Sequence, residues 1–172
     1  MRFWFEELTE DQWFAKRDDI DARVRERFLT LHEQLVESDG PGVAASRPLL
    51  AATIVLDQFS RNLFRENQRA YAADHIARRL ARTAIEHGFD AGMKKRERLF
   101  LYLPFQHSED REDQARSLQL FEQLGHEEWT RYAIAHKAII DRFGRFPHRN
   151  ATLNRTSTAD EIALLKEPMG SF

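Results

Sequence analysis

Pro48-Leu49-Leu50-Ala51-Ala52-Thr53-Ile54-Val55-Leu56-Asp57-Gln58-Phe59-Ser60-Arg61-Asn62-Leu63-Phe64-Arg65 is the stretch that decides the fold. Proline suits the first turn of a helix, and the run from Leu49 to Leu56 is almost unbroken apolar sequence. A surface helix keeps a polar stripe; this one has none, so it belongs at the centre of the molecule. The run is also far short of the roughly 18 residues that suggest a membrane span. It leads straight into Asp57, a carboxylate that must find a cation or a proton if the helix around it is buried.

Helical periodicity continues on both sides. Upstream, Ile20, Val24, Phe28, Leu31 and Leu35 recur every three or four residues from Asp18, and Gly40-Pro41-Gly42 stops that helix near Ser38. Before it, residues 1–17 form an aromatic segment whose Phe3, Trp4 and Phe5 should pack on the body. Thr9 and Gln12 have capping-box spacing ahead of Trp13 and Phe14. Downstream, a helix is expected from Ala70 to His87, closed by Gly88-Phe89 as a left-handed cap. Lys94 to Leu103 reads as the next, ended by Pro104. Ser108 reads as the N-cap of another, with Glu109 and Asp110 in its first turn, running to Gly125. The last long helix starts near Glu127 and presents Trp129, Tyr132, His136, Ile139, Ile140 and Phe143 on one face before Gly144. Thr158 and Glu161 cap a short helix that ends before Pro168.

No segment alternates with period two, and there is no Asn-Gly hairpin signal. The expectation is therefore an all-α single domain over 1–172: a stack of antiparallel helix pairs, about seven helices and no sheet. Residues 145–172 supply a C-terminal loop and the short helix.

Composition narrows the function classes. Net charge is −2, from 26 basic and 28 acidic residues, which argues against nucleic acid as a partner. With no cysteine, thiol catalysis, disulfides and thiolate metal sites are excluded. Thirteen phenylalanines against three tyrosines and three tryptophans point to an aromatic core. The N-terminus turns acidic within a few residues and shows no small-residue cleavage site, so a cytoplasmic protein without membrane partners is expected. Oligomeric state is not specified, and a homodimer is compatible with the sequence.

Four clusters could carry chemistry. Asp57, Arg61 and Arg65 lie one turn apart on one helix face, with Gln58 and Asn62 beside them; this is either a structural ion-pair network or the wall of a site. In His107-Ser108-Glu109-Asp110, only His107 lacks a role at the helix start, and a histidine beside two carboxylates suits acid–base work or a divalent metal. No metal-ligand spacing appears, so no metal is expected. His136 reads as a core histidine satisfied by a neighbour. In Arg142-Phe143-Gly144-Arg145-Phe146-Pro147-His148-Arg149-Asn150, the glycine stops a helix and the proline stiffens the loop. Its arginines with Arg155 suit a phosphate or carboxylate, or equally pair with Asp57, Glu109 or Asp141. These three charged segments are expected to meet.

At these residues the chain resembles a bacterial family known only as domain of unknown function 924. The likeness runs over nearly the whole chain. It rests on Phe3-Trp4-Phe5, Leu56-Asp57-Gln58-Phe59 with Arg61-Asn62 and Arg65, and Asp74 and Ala77. It continues in Phe100-Leu101-Tyr102-Leu103-Pro104, His107-Ser108-Glu109-Asp110 with Gln114, Phe143 to Asn150, and Arg155 with Ser157-Thr158. The resemblance implies an all-helical tetratricopeptide-like fold and no established activity. Two positions depart from the family pattern. Ser60 stands where proline is usual, which puts a helix break there in doubt; Asn154 replaces a glycine but tolerates a left-handed turn.

Three functional readings follow. The first is a tetratricopeptide-like binding or scaffold module holding a peptide or small anion with Asp57, Gln58, Arg61, Arg65, His107, Glu109, His136, Arg145, His148 and Arg149. The second is a hydrolase of a phosphorylated or carboxylated small molecule. There His107 or His148 is the base, Glu109 or Asp57 its orienter, and Arg145 with Arg149 the anion clamp. In the third the polar clusters are purely structural. No nucleophile elbow, phosphate loop or cofactor motif appears, so no cofactor is expected.

Overall fold

Every regular element in the computed structural model is a helix, and no strand occurs among the described residues, 1–41 and 45–170. Gly42 of the expected helix stop lies outside them. The chain opens with a π-helical turn (Phe3–Glu7) and a short α1 (Glu10–Trp13), followed by α2 (Asp18–Glu37). Next, α3 (Ser46–Ile54) passes without a break through a second π-helical turn (Val55–Phe59) into α4 (Ser60–Leu63). Ser60 keeps helical angles, so the rod does not bend where a proline would bend it. Then come α5 (Arg69–Ala72), α6 (Asp74–Glu86), α7 (Lys95–Gln106), α8 (Arg111–Leu124), α9 (Glu127–Phe143) and α10 (Ala159–Leu164).

The rod from α3 to α4 is the axis. Between Leu49 and Ser60 only Ala51 is partly exposed. Around the rod, α2 packs on the π turn and α4, while α3 lies against α6 and α7; α8 then stacks on α7, and α9 on α8. Gly40 closes α2 at φ +86, donating to the Leu35 carbonyl at 2.7 Å, and a Cβ there would press on Leu80 at 3.2 Å. Gly144 ends α9 at φ +69, and Asn154 adopts the left-handed conformation expected of it, φ +54.

Three local expectations need correction. Pro104 does not end its helix but sits in the last turn of α7. There the missing N–H removes one bond only, and the end is closed by His107 N to Leu103 O at 2.9 Å. Ser108 is not the cap of α8. Asp110 is, its carboxylate accepting from the Glu112 and Asp113 amides at 2.8 and 3.0 Å, so Glu109 precedes the helix. The helix expected from Ala70 to His87 is divided at Ala73.

Apolar side chains form two separate clusters. The main one runs from Phe3 to Ala133; a smaller one joins Ile139, Ile140, Phe146 and Leu164, with Phe143 against it. The N-terminal aromatics belong to the main core. Phe100 is fully buried, with ring centroids of Trp4, Phe5 and Trp13 at 5.3, 5.7 and 5.0 Å. Phe100→Ala should therefore lower the unfolding free energy by about 3–5 kcal/mol in urea titrations. A loss below about 1 kcal/mol would show that the first turns do not pack as described.

Candidate functional site

Asp57 lies in the π-helical turn of the rod with none of its surface exposed. Each oxygen is used. Oδ1 accepts from His107 Nδ1 at 2.8 Å and lies 3.3 Å from Arg61 Nη1, while Oδ2 accepts from Gln58 Nε2 at 2.6 Å. Burial alone would push its pKa up, but Arg61, His107 and Gln58 outweigh it and hold the carboxyl well below the usual carboxylate range. Asp57 is therefore an anion. The π turn sets Asp57 and Gln58 side by side on the same carboxylate, a placement common where π turns serve a site.

Arg61, one turn on, links the rod to α6. It donates to the Asp57 carbonyl at 2.6 Å and to both oxygens of Asp74 at 3.0 and 3.2 Å. Asp74 also faces Arg149 Nη1, at 3.7 Å, too far for a hydrogen bond. The Arg149 guanidinium lies between Tyr71 and Phe146, 4.6 Å from each ring centroid. Its side chain is 7% exposed, its Nε is buried without a partner, and no described residue accepts a hydrogen bond from it. Burial, then the like charge of Arg61 against the attraction of Asp74, leaves its pKa below that of an ordinary arginine.

Three histidines surround this group. His107 donates through Nδ1 to the Asp57 carboxylate, which leaves Nε2 as its basic nitrogen. His136 donates through Nδ1 to the Tyr132 carbonyl at 2.8 Å; its ring is 6.4 Å from that of His107 and 5.5 Å from Phe146. Burial lowers the pKa of all three, and that of His148 is pushed down to about 3 by burial and then by Arg149. At neutral pH they carry no charge.

The remaining loop arginines are fully engaged elsewhere. Arg155 grips both oxygens of Glu109 at 2.7 and 2.9 Å, and Glu109 also accepts from the Phe146 amide at 2.7 Å. Arg145 forms a two-pronged pair with Glu161, at 2.6 and 2.9 Å. Arg65 and Asn62 both turn to Asp21 on α2.

The three charged segments thus meet, but with a different division of labour. Asp57, Gln58, Arg61, His107, His136, His148 and Arg149 share one cluster. Glu109 pins the loop and makes no hydrogen bond to His107; Arg145 is bound to Glu161, whereas Arg149 has only the 3.7 Å contact with Asp74; Arg65 belongs to a neighbouring pair. Sequence reasoning missed Tyr71 and Asp74 as members. In the sequence Asp74 stands out only among the residues that carry the family resemblance, and Tyr71 sits in a helix too short to show a face. Two clefts, of about 460 and 200 Å³, open elsewhere: one beside Arg78, Arg82 and Asp113, the other beside His32 and Arg69. Among the described residues no group of three or more acidic or histidine side chains could hold a metal ion. Nor is any helix long and apolar enough to cross a membrane.

A family model described as a bacterial protein of unknown function (DUF924) matches residues 1–169. The chain is also similar to a solved structure of a protein of unknown function, ATU0120 from Agrobacterium tumefaciens. They share 37% identity over 96% of this chain and 94% of that one, with a TM-score of 0.90. No curated protein matches.

The buried neutral histidines set a direction for pH dependence. His148 titrates near 6.5 when unfolded and near 3 when folded, so between those values the unfolded chain binds more protons. Its contribution is complete above pH 6.5 and is lost as pH falls. The depressed carboxyls of Asp57, Glu109 and Glu161 add to the loss at lower pH. Urea titrations should show stability falling from pH 6.5 to 4, and His148→Asn should flatten that slope. A slope unchanged by the substitution would show that His148 is not held neutral.

Proposed function

The chain belongs to the bacterial DUF924 family of unknown function, and we propose that it is a binding module for a small molecule bearing a carboxylate or phosphate, held by Arg149. One observation carries the reading: a guanidinium more than nine-tenths buried, with five N–H donors and no hydrogen bond among the described residues. A buried donor left unpaired costs about 1–3 kcal/mol, more when charged, so an arginine kept in this state is better explained by a ligand than by architecture. Its two ring neighbours restrict the guanidinium, whose fork of donors suits an oxyanion.

The Asp57–His107 pair favours a second reading, in which the bound molecule is also hydrolysed. Asp57 fixes the ring of His107 with Nε2 as the base, so the orienting partner is Asp57 rather than Glu109. Arg149 would anchor the anionic end of the substrate.

Arg149→Met separates binding from architecture. An arginine that served only to neutralise Asp74 would cost about 3–5 kcal/mol on removal. For a binding arginine without hydrogen bonds, Asp74 keeps its bidentate pair with Arg61, and the variant should melt no lower than the parent. In the parent protein, acetate, sulfate or phosphate at 100 times its dissociation constant should add about 2.7 kcal/mol of stability, and Arg149→Met should abolish that shift. A parent that no oxyanion stabilises, together with an Arg149→Met variant that unfolds, would overturn the reading.

A further inference from the structure

We infer that the anion enters this site together with a proton: the ligand offers one terminal oxyanion group to the Arg149 guanidinium, and His107 Nε2 takes up the proton. The inference rests on the anion-binding reading above and adds the shape and the charge of what is bound.

Shape follows from what already surrounds Arg149. Tyr71 and Phe146 lie against the guanidinium, with its central carbon 4.6 Å from each ring centroid, so a ligand reaches it only from the directions these rings leave. Nη1 is turned to Asp74 at 3.7 Å, whereas Nε has no partner at all. The guanidinium donors left without a hydrogen bond suit the oxygens of a single carboxylate or phosphate. Cationic ligands gain nothing there.

Charge follows from a count. Within the cluster Asp57 and Asp74 carry two negative charges, and Arg61 and Arg149 carry two positive ones. Glu109 and Arg155 balance each other beside it. With the histidines neutral the group is already compensated, and a further anion would leave an uncompensated buried charge, which a bound proton removes.

His107 is the best-placed acceptor. The groups that face it are Asp57 and Arg61 on the rod, Asp74 on α6, His136 on α9 and His148 in the loop that follows. Its Nδ1–H already points to a carboxylate at 2.8 Å, so protonation at Nε2 produces an imidazolium in contact with an anion. His136 instead donates to the neutral Tyr132 carbonyl, and His148 is next to Arg149 in sequence and is opposed by its charge. Burial and Arg61 keep His107 neutral while the site is empty, which leaves it free to respond when an anion arrives.

Isothermal titration calorimetry of the full chain tests this with acetate and sulfate, neither of which titrates near pH 7. Runs at pH 7 in two buffers of different ionisation enthalpy should show about one proton taken up per acetate bound, with affinity rising about tenfold per pH unit lowered between pH 7.5 and 6.5. The two probes also distinguish carboxylate from phosphate-like recognition. His107→Asn keeps a donor toward Asp57 but lacks the second nitrogen, so it should bind without proton uptake. Imidazole ¹⁵N shifts of His107 in the unaltered protein give the same answer should that variant fail to fold. Binding with no buffer dependence would overturn the proton inference and leave the anion site standing. Uptake that persists in His107→Asn, or on another ring by ¹⁵N shift, would overturn the assignment to His107. Absence of binding by either probe would overturn both.

Discussion

A carboxylate sealed inside an apolar rod is the constraint from which the rest of the arrangement follows. Asp57 follows the run Leu49–Leu56 without a turn of relief, so its charge must be compensated where it stands or given up. Three groups compensate it, each fixing a different piece of the molecule. Gln58 holds the π-helical turn, Arg61 reaches to Asp74 on α6, and His107 brings in the end of α7. Removing the charge would release all three at once. The interaction therefore acts as a register pin between helices whose remaining contacts are non-directional apolar packing.

This pin lies at the joint between two cores. The large aromatic core ends at Ala133 on α9, and the small one begins at Ile139 on the same helix; His136 lies between them and meets Phe146 of the second. Polar contacts make the connection elsewhere as well. Glu109 caps the Phe146 amide and holds Arg155, while Arg149 comes over Tyr71 toward Asp74. A purely apolar joint would have merged the two clusters into one. What exists instead is a layer of alternating charge.

Legibility in the sequence follows the range of each interaction. The central rod, the glycine stops at Gly88, Gly125 and Gly144, and the Thr9 and Thr158 capping boxes are local, and local spacing reveals them. Pro104 misleads because a proline in a last helical turn breaks one bond rather than the helix. Ser108 misleads because serine and aspartate compete for the same cap: Asp110 takes it, and the hydroxyl goes to Asp113 at 2.8 Å. Choice among partners is harder still. Nothing in the sequence says that Arg145 meets Glu161 and Arg155 meets Glu109, since either arginine is long enough for either acid. Tyr71 and Asp74 enter the cluster only through the division of the helix at Ala73, and no composition signal marks that division.

Arg149 is the charged member of the cluster whose pairing is weakest, a 3.7 Å contact with Asp74 and no hydrogen bond. Every other charged member is saturated: Asp57 by three donors, Arg61 by two carboxylates and a carbonyl, Glu109 by Arg155 and an amide. A network selected only to lock helices would be expected to close completely, because a half-satisfied polar interior is worse than an apolar one. Here closure fails at one residue. The same residue lies between two rings, and neutral histidines surround it, none of them competing for an anion by charge. Aromatic cover supplies apolar burial while using none of the N–H donors, so it stabilises Arg149 without satisfying it. That combination is the observation on which the anion-binding proposal rests.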